Sequence, residues 1–321
     1  MIMYLVMNTI VLPELYNNQR IDKTLSAYFW LSRNFFHHLF DRGLITASLH
    51  DKPIVLKKSY LVQWGESITV PELERYHDNQ ILAESPNISL EIKHQTADYI
   101  VIYKPKGVLS HPKTLFDVST PSVSGFLYHR FGTMPSIAGF VRAGIVHRLD
   151  KDTDGLMIVA ISEKWLSHFK NLFDQKAKSA LTEENSDTTS LHKYYRALCD
   201  TTKAGQKRLQ DEGLASGWPC TIKSLVYPKA AVLGYPKMGV TRILSAKTTK
   251  LDDKPCVQVD MELLTGRTHQ IRYHLSSVWL PIIWDFLYNP MYDAWGPELQ
   301  LTAYGLDFVD PDGESISIRL S

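Results

Sequence analysis

The stretch GIVHRLDKDTDGLMIVA, residues 144–160, constrains the fold most. Ile145 and Val146 lead in, and a continuous apolar run from Leu156 to Ala160 leads out. A run of that kind, rich in β-branched residues and unbroken by polar ones, predicts a strand in a dry interior. Between the two lie His147, Arg148, Lys151 and three carboxylates, Asp150, Asp152 and Asp154. A buried strand is therefore entered through a charged loop.

Three readings of that loop are open. It can be a solvated turn, as short polar loops usually are. It can be a calcium loop, because DKDTDG has the carboxylates and glycine that open an EF-hand. Ile161 stands where that motif needs a bidentate Glu, however, and GLMIVAI does not read as a helix. It can also present a catalytic carboxylate, held rigidly at a strand end and able to act as nucleophile or base. Such a carboxylate needs a cation nearby to stay ionised in a partly dry pocket. LLTGRTHQIRYHLSSV offers one: RTHQIRYHL reads as a helix with Arg267, Ile271 and His274 on one face and Arg272 and Leu275 on another. Solvated arginines on an amphipathic helix are the plainer reading. His269 and His274 are five apart, which disfavours a helical zinc pair. In KYYRAL, Tyr194 and Tyr195 point to opposite faces of a strand, so at most one faces a site.

With 321 residues, the chain is long enough for two domains, or for one large domain with an appendage. An apolar fraction of 44% supports a sizeable core. No run approaches the roughly 20 apolar residues of a membrane span. MIMYLVMNTIVLPEL lacks a basic start and a small-residue cleavage site, so it reads as a strand or arm. Cys199, Cys220 and Cys256 are odd in number and widely spaced, which fits a reducing cytoplasm and offers no zinc pattern. Net charge is +1, from 35 Lys and Arg against 34 Asp and Glu, so only a local basic face could mark a nucleic-acid binder.

Residues 17–70 read as one unit. RIDKTLSAYFW predicts a first helix. SRNFFHHLFDRG predicts a second, from an N-cap at Ser32 to a C-cap at Gly43. Short strands follow in LITAS, KPIVLKK and YLVQWGESITV. Residues 71–95 read as a linker ending in a strand over 88–92, and DYIVIYKPKG as a strand ending at a Pro-Gly turn. Beyond it, strands in GLMIVAI, YYRALC and CVQVDMELL mix with helices in SEKWLSHFKNLFDQK and THQIRYHLSSV. KSALTEENSDTTS, residues 178–190, reads as a polar insertion.

YKPKGVLSHP, HRLDKDTDGL, KYYRAL and GRTHQIRYHL, in that order, resemble the RluA-type RNA pseudouridine synthases over about residues 96–310. RIDKTL, SRNFFHHLFDRGLIT and WGESITV resemble the small RNA-binding domain shared by a ribosomal small-subunit protein and many of these synthases. The resemblance implies an α+β fold, with a large mixed, mostly antiparallel sheet flanked by helices and a small N-terminal α/β domain. It implies an arm at 1–16, an RNA-binding domain at 17–75, a linker at 76–95 and a catalytic domain at 96–321. The family converts uridine to pseudouridine in RNA with neither metal nor cofactor. Carried over by position, Asp150 is the catalytic aspartate, Arg272 pairs with it, and Tyr195 stacks on the flipped uracil. Arg148 fills the gap the base leaves, Ile271 and Leu275 line the pocket, and His147, Thr153 and Gly155 shape the loop. Arg267, Lys104, Arg33 and Arg42 complete the implied RNA contacts. The implied partner is RNA, ribosomal ahead of transfer RNA, met by a cytoplasmic monomer with no membrane association. The alternative is an RNA-binding protein of the same fold that no longer catalyses and acts in ribosome assembly. Two departures stand out. Asp154 replaces a usual Ser, and WLPIIWDFLY replaces GHPIxGDxLY, with Trp279, Leu280 and Trp284 for Gly, His and Gly.

Overall fold

The computed structural model describes residues 7–73, 80–113, 117–132, 134–135, 141–182, 191–200, 207, 220–227, 236–289, 298–310 and 312–320. Residues 1–6 of the expected arm, 74–79 around the start of the linker and 183–190 of the polar insertion lie outside them. The chain divides into two compact units, one from Met1–Ile88 and His111–Gly144, the other from Ser89–Ser110 and Ile145–Ser321. Residues 111–144, which an expected boundary at 96 assigns to the second domain, group with the first unit.

In the first unit, β1 (Met7–Val11), β2 (Thr46–Leu49), β3 (Lys52–Ile54) and β4 (Ser67–Pro71) form a sheet in the order β1-β4-β2-β3. Helices α1 (Ile21–Phe29) and α2 (Arg33–Asp41) accompany it, and α3 (Val123–Phe131) follows later in the chain. Ser32 caps α2 by accepting from the Phe35 amide at 3.2 Å, and Gly43 takes φ +65° just past its end. The β2–β3 hairpin turns on His50 and Asp51, with φ +49° and +63°, the two positive values that a type I′ turn demands.

Asp22, buried on α1 among Ile21 and Leu25, accepts from Arg20 at 3.1 Å, Arg33 at 2.6 Å and His37 at 2.9 Å. Burial alone would raise its carboxyl, yet these partners hold it well below the ordinary carboxylate range. Asp22→Asn is expected to cost about 1.5–3 kcal/mol at pH 7. Because the native carboxyl titrates low, that contribution is present above about pH 4 and fades as pH falls towards the native value. Urea unfolding of the full chain at pH 7 and pH 3 checks this, and the variant's deficit should shrink at pH 3.

The second unit is built on β5 (Glu91–Gln95), β6 (Tyr99–Lys104), β7 (Asp154–Ala160), β8 (Leu191–Asp200), β9 (Cys220–Val226), β10 (Lys237–Leu251), β11 (Lys254–Leu263), β12 (Leu301–Val309) and β13 (Ser315–Arg319). The order is β5-β6-β7-β12-β8-β11-β10-β9, with β13 on β12. Tyr99, Val101, Leu156 and Ile158 pack against Trp165, Leu166 and Phe169 of α4 (Glu163–Thr182). Ile100, Ile102, Met157 and Val159, the alternate residues, are buried as well. The unbroken apolar runs of β6 and β7 thus lie in a sheet covered on both faces. No helix among the described residues is long and apolar enough to cross a membrane.

Among the described residues, strand pairing is antiparallel except between β7 and β12, which run parallel where Asp154 meets Thr302 and Gly155 meets Ala303. Gly155 has φ +125°, and a Cβ there would lie 2.2 Å from the Ala303 carbonyl oxygen. Only glycine fits both the backbone angle and the gap. Gly155→Ala is expected to lose roughly 2–5 kcal/mol, from left-handed strain plus overpacking against backbone. A thermal melt of the full chain reads it directly.

Candidate active site

The loop before β7 is fixed on both sides of Asp150. Ser110 Oγ donates to the Leu149 carbonyl at 2.8 Å and accepts from the Leu149 amide at 2.9 Å. The Lys151 carbonyl accepts from the Gly107 amide at 2.9 Å and from Lys104 Nζ at 3.2 Å. Asp150, between these two held neighbours, keeps its side chain 19% exposed. The YKPKG and HRLDKD motifs are therefore two halves of one support.

That support corrects the expectation for Lys104. Its side chain is fully buried, and Nζ also donates to the carbonyls of Pro105 and Val108 at 2.9 Å each, so it is not placed to meet RNA. Burial pushes its pKa down to about 8, against the pull of Asp154, Asp150 and Asp152. The three carboxylates of the loop have a cation in common, and it is the protein's own ammonium. Asp154 is a tie between strands: its oxygens accept from Tyr103 Oη at 2.7 Å and Thr302 Oγ1 at 2.9 Å. Both oxygens have partners, so the departure from Ser joins β6, β7 and β12.

Asp150 opens onto a pocket of about 260 Å³ that lies within the second unit. His147, Arg148, Tyr195, Arg267, Ile271 and Arg272 line it with Asp150. Tyr195 faces in while Tyr194 turns to the other side of the strand, where Arg319 lies 4.5 Å from its ring centroid. Burial, then the charge of Asp150, pushes the Tyr195 hydroxyl well above its ordinary pKa, so it stays a neutral aromatic surface. Leu275 is buried but absent from the lining, which corrects its expected place. His147 lines the pocket too, and its Nε2 accepts from the Ile158 amide at 2.9 Å, which shapes the loop. Arg33 and Arg42 belong to the other unit.

Arg272 also departs from expectation. Its guanidinium binds Asp285 in a two-point fork, Nε at 2.8 Å and Nη2 at 2.6 Å, rather than pairing with Asp150. Asp285 Oδ1 further accepts from the amides of Leu287 and Tyr288 at 3.0 and 3.1 Å. Burial of Arg272 works against its charge, but Asp285 and, beyond it, Asp150 strengthen it. Asp150 has a different neighbour, His269, with Nε2 4.0 Å away; burial lowers the pKa of that imidazole against the pull of Asp150, which favours its neutral form.

The expected helix over 267–275 forms as α5 (Gln270–Ser277). Its first turn is replaced by a bonded turn centred on Gln270. Gln270 Oε1 accepts from Thr265 Oγ1 at 2.7 Å and the Arg267 amide at 3.1 Å, while Nε2 donates to the Val240 carbonyl at 3.0 Å and Thr241 Oγ1 at 2.9 Å. His269, with φ +55°, ends that turn at the pocket. His274 bonds Thr241 Oγ1 at 2.9 Å, away from His269. Trp279 and Trp284, standing for glycines, have φ +65° and +60°. The backbone keeps the left-handed turns that glycine would take without cost, and the indoles bear the strain.

Asp285, Gln270, His269 and Lys193 join the site although the sequence reading assigned them no role. Asp285 was visible as the acid in WDFLY, Gln270 and His269 within GRTHQIR, and Lys193 at the head of KYYRAL.

A sequence model described as RNA pseudouridylate synthase matches residues 98–277. The ribosomal large subunit pseudouridine synthase D of Zymomonas mobilis is 30% identical over 289 residues, covering 89% of this chain and 81% of its own. The protein of the same name from Vibrio vulnificus is 32% identical, covering 84% and 73%. An uncharacterised RNA pseudouridine synthase of Aquifex aeolicus is 28% identical, covering 91% and 86%. The chain belongs to the RNA pseudouridylate synthase family. It is an isomerase that acts on RNA.

Asp285→Ala leaves the buried Arg272 guanidinium without a counter-charge and is expected to cost about 3–5 kcal/mol. Denaturant unfolding of the full chain measures it.

Proposed function

We propose that this enzyme isomerises a uridine of large-subunit ribosomal RNA, drawn out of its stack into the pocket, with Asp150 acting on the ribose. The observation that carries the reading is Asp150 itself, fixed between clamped neighbours at a pocket lined by Tyr195 and Arg272. The relatives named for the ribosomal large subunit support the choice of RNA. Flipping a base costs a few kcal/mol. Stacking on Tyr195 recovers about 1–3 kcal/mol, and Arg148, which is exposed, is the side chain to fill the gap in the stack. The first unit, with its paired helices, hairpin and exposed Trp30 and Trp64, serves as the RNA-docking module. We place the enzyme in the cytoplasm, acting as a monomer.

Mapping pseudouridines in ribosomal RNA from cells with and without the gene tests the reading. At least one large-subunit position should lose its pseudouridine on deletion, regain it with the wild type and fail to regain it with Asp150→Asn. Unchanged ribosomal RNA, or restoration by Asp150→Asn, rejects it.

A further inference from the structure

One face of β8 sends two side chains into the pocket. Lys193 and Tyr195 are two positions apart, so they point the same way, and both line it. Lys193 is only 7% exposed. Its ammonium lies 5.1 Å from the centroid of the Phe173 ring, alongside the turn at Gly266. Among the described residues no acceptor holds it. Glu262, whose charge it feels, is occupied by Lys176 at 2.5 Å, His192 at 2.7 Å and Arg242 at 3.3 Å.

His147 adds a second donor beside the same ring, with the two ring centroids 4.9 Å apart. Burial, then the charge of Lys193, pushes the His147 pKa down to about 3, so its imidazole is neutral. Nε2 accepts from Ile158, so the proton sits on Nδ1, and that atom is buried without a partner. A buried donor left without an acceptor is destabilising. Two idle donors around Phe173 call for a ligand rich in acceptors. A phosphodiester stays with the RNA backbone, near exposed Arg148. What reaches a residue as buried as Lys193 is the base, whose acceptors are its carbonyl oxygens.

Resting on the assignment of this pocket to uridine isomerisation, we propose that Lys193 is a catalytic residue that donates to a uracil carbonyl oxygen and bears the negative charge gathering there while the base is detached. Breaking the C1′–N1 bond leaves its electron pair on the uracil ring, spread over N1 and the two carbonyl oxygens. The base then turns, C5 bonds to C1′, the C5 proton leaves and N1 takes one up. Atoms and charge balance with no further reactant, and Lys193 keeps its own proton throughout. A fixed ammonium in a dry pocket stabilises such charge far better than water does.

Among the described residues, the charged groups at this end of the pocket are Lys176 and Asp174 of α4, Glu262 of β11, Asp150 and Arg267, and His147 is a titratable but neutral neighbour. Burial, then Lys176, pushes the Lys193 pKa down to about 7, against the pull of Glu262. The charged form is therefore lost as pH rises above that value in the free enzyme.

The test is single-turnover pseudouridine formation by the full-length enzyme on total RNA from cells lacking the gene. Lys193→Met should slow it about 100-fold, the usual effect of removing one donor to developing charge, with RNA affinity changed less than about twofold. The wild-type rate should fall between pH 7 and 9, and Lys193→Arg should remove that fall. Lys193→Met within about threefold of the wild type overturns the inference alone. If Lys193→Met does not fold, a wild-type rate that is flat from pH 7 to 9 overturns it. A wild type that forms no pseudouridine on this RNA rejects the parent reading and the inference together.

Discussion

Three peptide carbonyls, those of Pro105, Val108 and Lys151, share one buried ammonium, and the position of Asp150 depends on it. An ammonium without acceptors in that place would be prohibitive. The chain therefore has to bring the turn after β6 and the loop before β7 to the same point. Ser110 then fastens Leu149 through both its backbone groups, and Gly155 lets β7 start hard against Ala303. The carboxylate is held by its neighbours' backbones, so its own oxygens stay available.

The outline of the fold could be read from the sequence because its signals are local. The apolar runs marked β6 and β7, Ser32 and Gly43 bounded α2, and the tyrosine pair identified a strand with one face on the pocket. Errors arose where a side chain's partner is distant in sequence. Lys104 looks like a surface cation beside a Pro-Gly turn, and only its hydrogen bond to the Lys151 carbonyl, 47 residues on, shows why it is inside. The early part of RTHQIRYHL has helical spacing, but Gln270 finds better bonds on β10 and stops the helix from starting at Arg267. Leu275 lies one turn beyond Ile271 on the same side of the helix yet is buried outside the pocket lining, because spacing alone does not say how far along the helix the pocket reaches.

Arg272 is the most informative of these. Family resemblance paired it with Asp150, and its acid proved to be Asp285, in the segment where Trp279 and Trp284 stand for glycines. The rings of Phe286 and Tyr288, with centroids 5.6 and 5.3 Å from the guanidinium carbon, pack around the same group. The strained turns at Trp279 and Trp284 are tolerated because what they deliver, a buried carboxylate opposite Arg272, is held by its own amide bonds. A direct fork between Arg272 and Asp150 would occupy the oxygens that the proposed chemistry needs. Bound to Asp285, the arginine contributes its field to Asp150 without covering it.

Charge in the pocket is graded by depth, which a net charge of +1 conceals. Arg148 is exposed, Asp150 is partly so, and Tyr195, Arg272 and Lys193 are buried. In the function proposed above, a strand of RNA would first meet a cation suited to its backbone, then an acid for the ribose, then an uncharged ring for the base. An anionic backbone has no reason to pass the acid, and a neutral base has little to lose by leaving water. On that proposal, the order of the side chains would sort the parts of a nucleotide, which is the discrimination that cleavage between a sugar and its base requires.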